Sequence, residues 1–277
     1  MNQLPLKSYN LHTTLLGGQA FVWELGEDGY YYGVTRHRAI KLKHENDILY
    51  WQTYPIQDDE EFIKDYLRLD FGYDEMLHNI TKDKYIEKSI DKFPNIRLLH
   101  QNFEETLISY LFSATNRIVS IRTSMGLFRK RFGKRMEVDG KEIYLFPKIE
   151  AITIASLEDL LGCKIGFRAK NVKAAAQRLL KEKLGARVSG MRFDEIKAEL
   201  IKFDGIGNKV ADCIMVYSLK ADHITPLDIW GQRVLTQYYG LNEKMKYIEM
   251  SSWYSNYFGK YTAWAGQFLF EYIRSSR

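Results

Sequence analysis

The sequence predicts an α+β protein in which a small N-terminal antiparallel sheet packs on a mostly α-helical body. Three observations carry that expectation. Residues 18–54 hold short runs of aromatic and β-branched side chains separated by turn signals, at the spacing of hairpins. From residue 58 the apolar positions recur three and four apart, which is helical spacing. No segment repeats at a period of about 20–50 residues, so the helices are not a solenoid.

In chain order, the expected strands are residues 19–25, 30–34, 39–42 and 48–54, divided by turns such as Gly26-Glu27-Asp28-Gly29 and Glu45-Asn46-Asp47. They make an antiparallel sheet of about three to five strands. Residues 61–69, 73–80 and 84–92 follow as amphipathic helices. The helix over 103–112 opens after Asn102, with Glu104 and Glu105 in its first turn, where carboxylates complement the positive end of the helix dipole. Helical patterning resumes at 117–132 and stops in an irregular stretch, 133–149, that contains the turn Asp139-Gly140 and the breaker Pro147. It returns over 156–161, 167–182, 193–203, 209–219, 229–238 and 262–274. The division that follows is a sheet domain with flanking helices over residues 1–98 and a helical region over 99–277.

Composition narrows the function classes. A hydrophobic content of 45% and a charged content of 27% are those of a globular chain, which excludes disorder. No apolar run approaches the ~18 residues that span a bilayer, so no membrane partner is expected. The N-terminal residues lack a basic segment followed by an apolar one, so a cytoplasmic rather than a secreted protein is expected. Two cysteines, Cys163 and Cys213, cannot build a four-thiolate iron–sulfur cluster, a four-cysteine metal site or a disulfide framework. The net charge of +5 is unevenly spread: residues 1–100 carry 12 basic against 16 acidic side chains, and the remainder carries 28 against 19. A basic body behind a slightly acidic front suits a polyanionic partner, nucleic acid first.

The chemistry concentrates around residue 205. Leu200-Ile201-Lys202-Phe203-Asp204-Gly205-Ile206-Gly207-Asn208-Lys209 ends one helix, turns on two glycines and starts another. Backbone N–H groups of such a hairpin, with the positive end of the second helix, form an anion site that suits a DNA phosphate. An ordinary glycine turn between packed helices would share the Gly-x-Gly. The surroundings separate the two readings: Lys209 stands in the first turn of the new helix, and Cys213 lies four residues on, along the same face. Thr225-Pro226-Leu227-Asp228 then places a carboxylate at the next helix start. A lysine and a carboxylate beside a phosphate-binding hairpin form a catalytic layout.

This layout resembles the helix-hairpin-helix/Gly-Pro-Asp superfamily of DNA glycosylases, and within it the 8-oxoguanine DNA glycosylases. Lys209-Val210-Ala211-Asp212-Cys213 is similar to that family's Lys-Val-Ala-Asp-Cys, and Pro226-Leu227-Asp228 to its Pro-x-Asp. Gly18-Gln19-Ala20-Phe21-Val22-Trp23 resembles its Gly-Gln-Ser/Ala-Phe-x-Trp, and Asn95-Ile96-Arg97-Leu98-Leu99 the opening of its central domain. Gly166-Phe167-Arg168-Ala169-Lys170 resembles its Gly-Tyr-Arg-Ala-Arg, and the stretch 261–270 its closing Tyr-x-x-Trp-Ala…Leu-Phe. The likeness runs from about Leu11 to Arg274.

The resemblance implies two helical subdomains with the active-site cleft between them, and a bifunctional glycosylase/abasic-site lyase that excises 8-oxoguanine from duplex DNA. Lys209 is then the nucleophile that forms a Schiff base with the deoxyribose C1′, for which an ordinary lysine, pKa ~10.4, must first give up its proton. Asp228 stabilises the positive charge on the sugar, in addition to any role as a helix N-cap. The Gly18 carbonyl accepts the N7 hydrogen that 8-oxoguanine has and guanine lacks. Cys213 and Phe270 sandwich the flipped base. Trp230 stacks on sugar or base where better-known relatives often carry histidine. Gly205 and Gly207 hold phosphate, Phe167 is the wedge, and Arg168 and Asn116 meet the orphaned cytosine. The glutamine that reads the base edge aligns with Gly266, and the role is carried to Gln267, one position later.

Thr115 and Arg117 stand where the family has asparagines, and Ser120 where animal enzymes have an arginine, so discrimination for cytosine opposite the lesion is expected to be loose. A monomer is expected, with no metal and no cofactor, a monovalent cation at the hairpin carbonyls being the one ion the layout could accept. Two other readings stay open at this point. One is an alkylbase (3-methyladenine-type) glycosylase, which typically lacks the hairpin lysine; the other is a non-enzymatic helix-hairpin-helix DNA-binding protein, which has no use for both Lys209 and Asp228.

Overall fold

The computed structural model describes residues 1–56, 59–113 and 116–276. Its main sheet comprises β1 (Asn2–Pro5), β2 (Glu24–Leu25), β3 (Tyr31–Thr35), β4 (Arg38–Glu45) and β5 (Ile48–Tyr54), in the order β1-β5-β4-β3-β2 with all neighbours antiparallel. Two tight turns set the register. Asn46 and Asp47 join β4 to β5 at φ of 52° and 58°, the left-handed conformation that two-residue hairpin turns require. Arg36 and His37 do the same between β3 and β4, at 47° and 59°. Those two side chains sit there at a conformational cost, which Glu105 offsets: it accepts the Arg36 N–H at 2.9 Å and the Thr35 hydroxyl at 2.8 Å.

The strand expected over 19–25 is shorter than its pattern, since only Glu24 and Leu25 pair with β3. Upstream, the chain is committed elsewhere. The Gln19 carbonyl accepts from Gln101 Nε2 at 2.8 Å and from the Tyr110 hydroxyl at 3.2 Å. The Trp23 ring lies so close to Gly33 that a Cβ there would collide with it.

Helices α1 (Leu11–Leu16), α2 (Glu60–Leu67), α3 (Tyr73–Ile80) and α4 (Lys84–Lys92) complete the first hundred residues, followed by α5 (Phe103–Leu111) and α6 (Ile118–Phe132). The stretch expected to be irregular contains a second small sheet, β6 (Arg135–Val138) with β7 (Lys141–Tyr144), turning at Asp139-Gly140. This hairpin folds over the main sheet, where Asp139 takes Lys41 Nζ at 2.6 Å and the Tyr54 hydroxyl at 2.9 Å. The remainder is helical: α7 (Ile149–Ile154), α8 (Leu157–Gly162), α9 (Arg168–Glu182), α10 (Leu184–Arg187), α11 (Phe193–Ile201), α12 (Asn208–Leu219), α13 (Ile229–Gln237), α14 (Tyr247–Phe258) and α15 (Thr262–Arg274). No helix among the described residues is long and apolar enough to cross a membrane.

Two features position the site. Helix α12 is the buried axis of the body, enclosed from Ala211 to Ser218, with α5 and α11 against it. Helix α15 packs on α3, α4, α13 and α14, tying the end of the chain to its front. At that junction Arg68, the left-handed C-cap of α2, makes a bidentate pair with Asp222 at 2.7 and 2.6 Å, its guanidinium over the rings of Phe71 and Trp264. Planar fork on carboxylate is the strong form of this interaction.

Candidate active site

The hairpin between α11 and α12 closes with Ile206 N–H on the Phe203 carbonyl at 3.0 Å. Its glycines have different reasons to be there. Gly205 sits at φ +88°, and a Cβ would come within 2.6 Å of Asn171 Nδ2, so the turn itself demands glycine. Gly207 has ordinary extended backbone and open space where a Cβ would go, leaving the first N–H groups of α12 approachable. Asn171 belongs to α9, so the loop before α9 lies beside the hairpin. That loop exposes Phe167 to 69%, with the Arg168 guanidinium 4.6 Å from its ring. Phe167, Arg168, Gly205 and Gly207 do not line the cavity described next.

One face of α12 presents Lys209, Cys213 and Tyr217 to a cavity of about 410 Å³, a volume suited to a small-molecule-sized guest. Lys209 is half-buried, 5.6 Å from the Tyr110 ring centroid, and forms no ion pair among the described residues. Burial pushes the Cys213 thiol up to about 11, with the neighbouring Lys209 pulling against that shift and Asp228 adding to it. Asp228 caps α13: its Oδ1 accepts from the N–H groups of Trp230 at 2.9 Å and Gly231 at 3.0 Å. Its other oxygen has no hydrogen-bond partner among the described residues. A buried strut holds the loop leading to it. Asp212, fully enclosed, pairs with Lys197 Nζ at 2.7 Å and accepts the Tyr247 hydroxyl at 2.6 Å, and that hydroxyl accepts the Leu227 N–H at 3.3 Å. Burial raises the Asp212 carboxyl, and Lys197 and Tyr247 oppose the shift.

Gly18, Gln267, Phe270, Trp230 and Asn116 also line the cavity. Gly18 has φ +111° and a Cβ would meet Ile118 Cδ1 at 2.7 Å, so both backbone and space call for glycine. Its carbonyl accepts from the Tyr110 hydroxyl at 3.3 Å. The next residue anchors it: Gln19 donates to the Arg97 carbonyl at 2.7 Å and accepts the Leu99 N–H at 3.0 Å. Gly266 and Gln267 both line the cavity: a Cβ at Gly266 would run into the Thr225 side chain, and the Gln267 amide is held by Tyr217 and Glu271. Burial lifts the Glu271 carboxyl to about 7 against the pull of Arg274. Phe270 lies under the Arg274 guanidinium at 4.9 Å, and Trp230 under that of Arg233 at 4.8 Å. Arg117 and Ser120 are exposed, and Thr115 lies outside the described residues.

Residues 3–107 match the family model of the 8-oxoguanine DNA glycosylase N-terminal domain. The whole structure superposes on that of MBOgg1 in complex with a low-affinity DNA ligand with a TM-score of 0.92, at 31% identity, covering 97% of this chain and 93% of that one. The chain belongs to the 8-oxoguanine DNA glycosylase family. It is also similar to the Clostridium acetobutylicum 8-oxoguanine glycosylase/lyase bound to duplex DNA with cytosine opposite 8-oxoG: TM-score 0.90, 28% identity, 97% of this chain and 92% of that one. The Saccharomyces cerevisiae N-glycosylase/DNA lyase is 26% identical over 265 residues, spanning 86% of this chain and 70% of the relative.

Within this 8-oxoguanine glycosylase fold, eight of the residues singled out in the sequence meet at one cavity: Gly18, Asn116, Lys209, Cys213, Asp228, Trp230, Gln267 and Phe270. Sequence reasoning missed Tyr110, Tyr217, Asp212 and Glu271. Tyr217 was open to discovery, since it continues the face of Lys209 and Cys213 at the next four-residue step. Tyr110 and Glu271 gain their places only when α5 and α15 fold against α12 and the Gly18 loop.

Proposed function

We propose that this family member extrudes 8-oxoguanine from duplex DNA into the cavity, removes it and then cleaves the strand. The single observation that supports this most is that Lys209 and Asp228 open on the same cavity as Gly18, Cys213 and Phe270. The hairpin N–H groups hold backbone phosphate, and Phe167 fills the stack that the base leaves. Cys213 and Phe270 hold the base between them while the Gly18 carbonyl takes its N7 hydrogen. As the N9–C1′ bond breaks, its electron pair leaves with the base and positive charge grows on the sugar, opposite the Asp228 carboxylate. The Lys209 amine bonds to C1′, the sugar ring opens to a protonated Schiff base, and loss of a C2′ proton expels the 3′ phosphate. These steps need an amine, a carboxylate and the DNA, and call for no cofactor. A chromosomal substrate places the activity at the chromosome, which in a bacterium is the nucleoid within the cytoplasm.

Borohydride reduction tests the reading directly, because it freezes the Schiff base as a stable adduct. Wild-type chain should be trapped on 8-oxoguanine duplexes, and Lys209→Gln should lose trapping while keeping DNA affinity within about threefold, since the hairpin donors are backbone groups. A Lys209→Gln chain that still traps would exclude Lys209 as the nucleophile. An alkylbase glycosylase or a simple DNA-binding protein would give no adduct at all.

A further inference from the structure

We infer that Glu271 and Tyr217 are positioning residues for the Gln267 amide, the Glu271 carboxylate fixing its polarity and the Tyr217 hydroxyl holding its other end, so that the pocket offers a flipped purine one amide oxygen and one amide N–H in a set order. The inference rests on the proposed function and adds two residues that act on the base only through Gln267. An amide can turn over about its terminal torsion and exchange its oxygen for its nitrogen. Here both ends are engaged. The Tyr217 hydroxyl donates to Gln267 Oε1 at 2.9 Å, and Gln267 Nε2 donates to Glu271 Oε1 at 3.2 Å. Arg274 Nη2 holds the other Glu271 oxygen at 2.6 Å, so above about pH 7, where the carboxyl is ionised, Oε1 is the acceptor facing the amide. A turned amide would set its oxygen against that acceptor. Gln267 is 5% exposed, so water does not relieve the mismatch.

The clamp is itself braced. The Tyr217 ring stacks on Tyr110 with centroids 5.9 Å apart and planes at 12°. Tyr110 in turn donates to the carbonyls of Gly18 and Gln19. One stacked pair therefore ties the Gly18 wall of the cavity to the Gln267 wall. Since an amide oxygen accepts two hydrogen bonds and its NH₂ donates two, one of each remains for a guest.

The consequence is a choice between purine edges. Guanine-type bases present an acceptor at O6 beside a donor at N1, and adenine-type bases present the reverse. A fixed amide matches one order and repels the other, whereas a free amide serves both. 8-Oxoguanine and 8-oxoadenine share the N7 hydrogen and the C8 oxygen, so the Gly18 carbonyl meets the same atoms in each. They differ at the edge that Gln267 faces.

The test is single-turnover excision from duplexes holding 8-oxoguanine or 8-oxoadenine, beside cleavage of a preformed abasic site, for wild type, Tyr217→Phe and Glu271→Gln. Tyr217→Phe keeps the ring stack and removes the hydroxyl; Glu271→Gln keeps the shape and adds a donor. Wild type should favour 8-oxoguanine, and each variant should lower the ratio by about tenfold or more. Abasic-site cleavage, which needs Lys209 and no base, should stay within about twofold. An unchanged ratio in both variants would overturn the inference. So would a parallel loss on all three substrates, which would mark the two residues as merely structural. A wild-type ratio near one would overturn it while leaving the glycosylase reading intact. Wild-type chain that opens abasic sites but excises neither base would overturn the substrate reading itself.

Discussion

Asp228 has two jobs that one substitution can separate. Its Oδ1 caps α13 through two backbone N–H groups, and its charge stands on the cavity wall. Asparagine caps helices as well as aspartate does. Asp228→Asn should therefore leave stability within about 0.5 kcal/mol of wild type. The carboxylate that opposes the developing sugar charge is gone, so single-turnover excision should fall by about a hundredfold or more. Thermal melting together with excision kinetics checks both halves, and a variant that melts several degrees lower would reduce Asp228 to a cap. At this scale the site was largely legible, because Lys209, Cys213 and Asp228 declare themselves by short spacings on helix starts. Gly266 and Gln267 were the exception. Both line the cavity, and what each touches there, Thr225 for one and Tyr217 and Glu271 for the other, depends on how the chain folds.

The hairpin makes a prediction about an element. Gly207 has open space at its Cβ position and a backbone any residue adopts, so Gly207→Val should fold normally. The added side chain stands before the N–H groups of α12, and affinity should drop alike for damaged and undamaged duplex. The log–log salt slope should become shallower by about one as a phosphate contact is lost. A Gly207→Val chain with wild-type affinity and slope would remove the hairpin from the DNA surface. Gly205→Ala should instead lose stability, since its φ is +88° and Asn171 fills the space. Elements were legible in proportion to how locally they are determined. Helix α4 has Asp83 accepting from two first-turn N–H groups and a clean amphipathic face, and its observed bounds are the expected ones. Helix α7, Ile-Glu-Ala-Ile-Thr-Ile, carries a β-branched run over six residues and shows no helical signal. The hairpin β6–β7 reads as loop because its strands gain their support from Lys41 and Tyr54 on the main sheet. Residues 19–23 read as strand because Ala20-Phe21-Val22-Trp23 is a short apolar, aromatic run, yet all five residues are buried without pairing in the sheet and Gln19 anchors the cavity wall.

At the scale of the whole molecule, two glutamates, one buried and one half-buried, join parts that are far apart in sequence. Glu105 fastens α5 to the β3–β4 turn, and Glu271 fastens α15 to the cavity. Burial is the leading cause in each case, and both carboxyls are raised to about 7. The sign follows from linkage. A carboxyl whose folded pKa lies above its unfolded value keeps a proton in the folded state that the unfolded chain has released. Its contribution to stability is present below about 4.5 and is lost as pH rises through about 7. Asp28 and Asp65, held at about 2, act in the opposite sense, but only in acid below the ordinary carboxylate range. Burial lowers the His100 imidazole, which also opposes the trend near neutrality, so the wild-type curve mixes several groups. Substitution isolates one. Glu105→Gln imitates the protonated carboxyl at every pH, so His100 and the aspartates cancel when variant and wild type are compared. Relative to wild type, Glu105→Gln should gain about 2–3 kcal/mol between pH 5 and pH 8, since each tenfold change in a proton-binding constant is worth roughly 1.4 kcal/mol. Urea unfolding at those two pH values measures it. Curves that stay parallel would mean that Glu105 ionises in the folded chain as readily as in the unfolded one, and that its hydrogen bonds to Thr35 and Arg36 compensate fully for its burial.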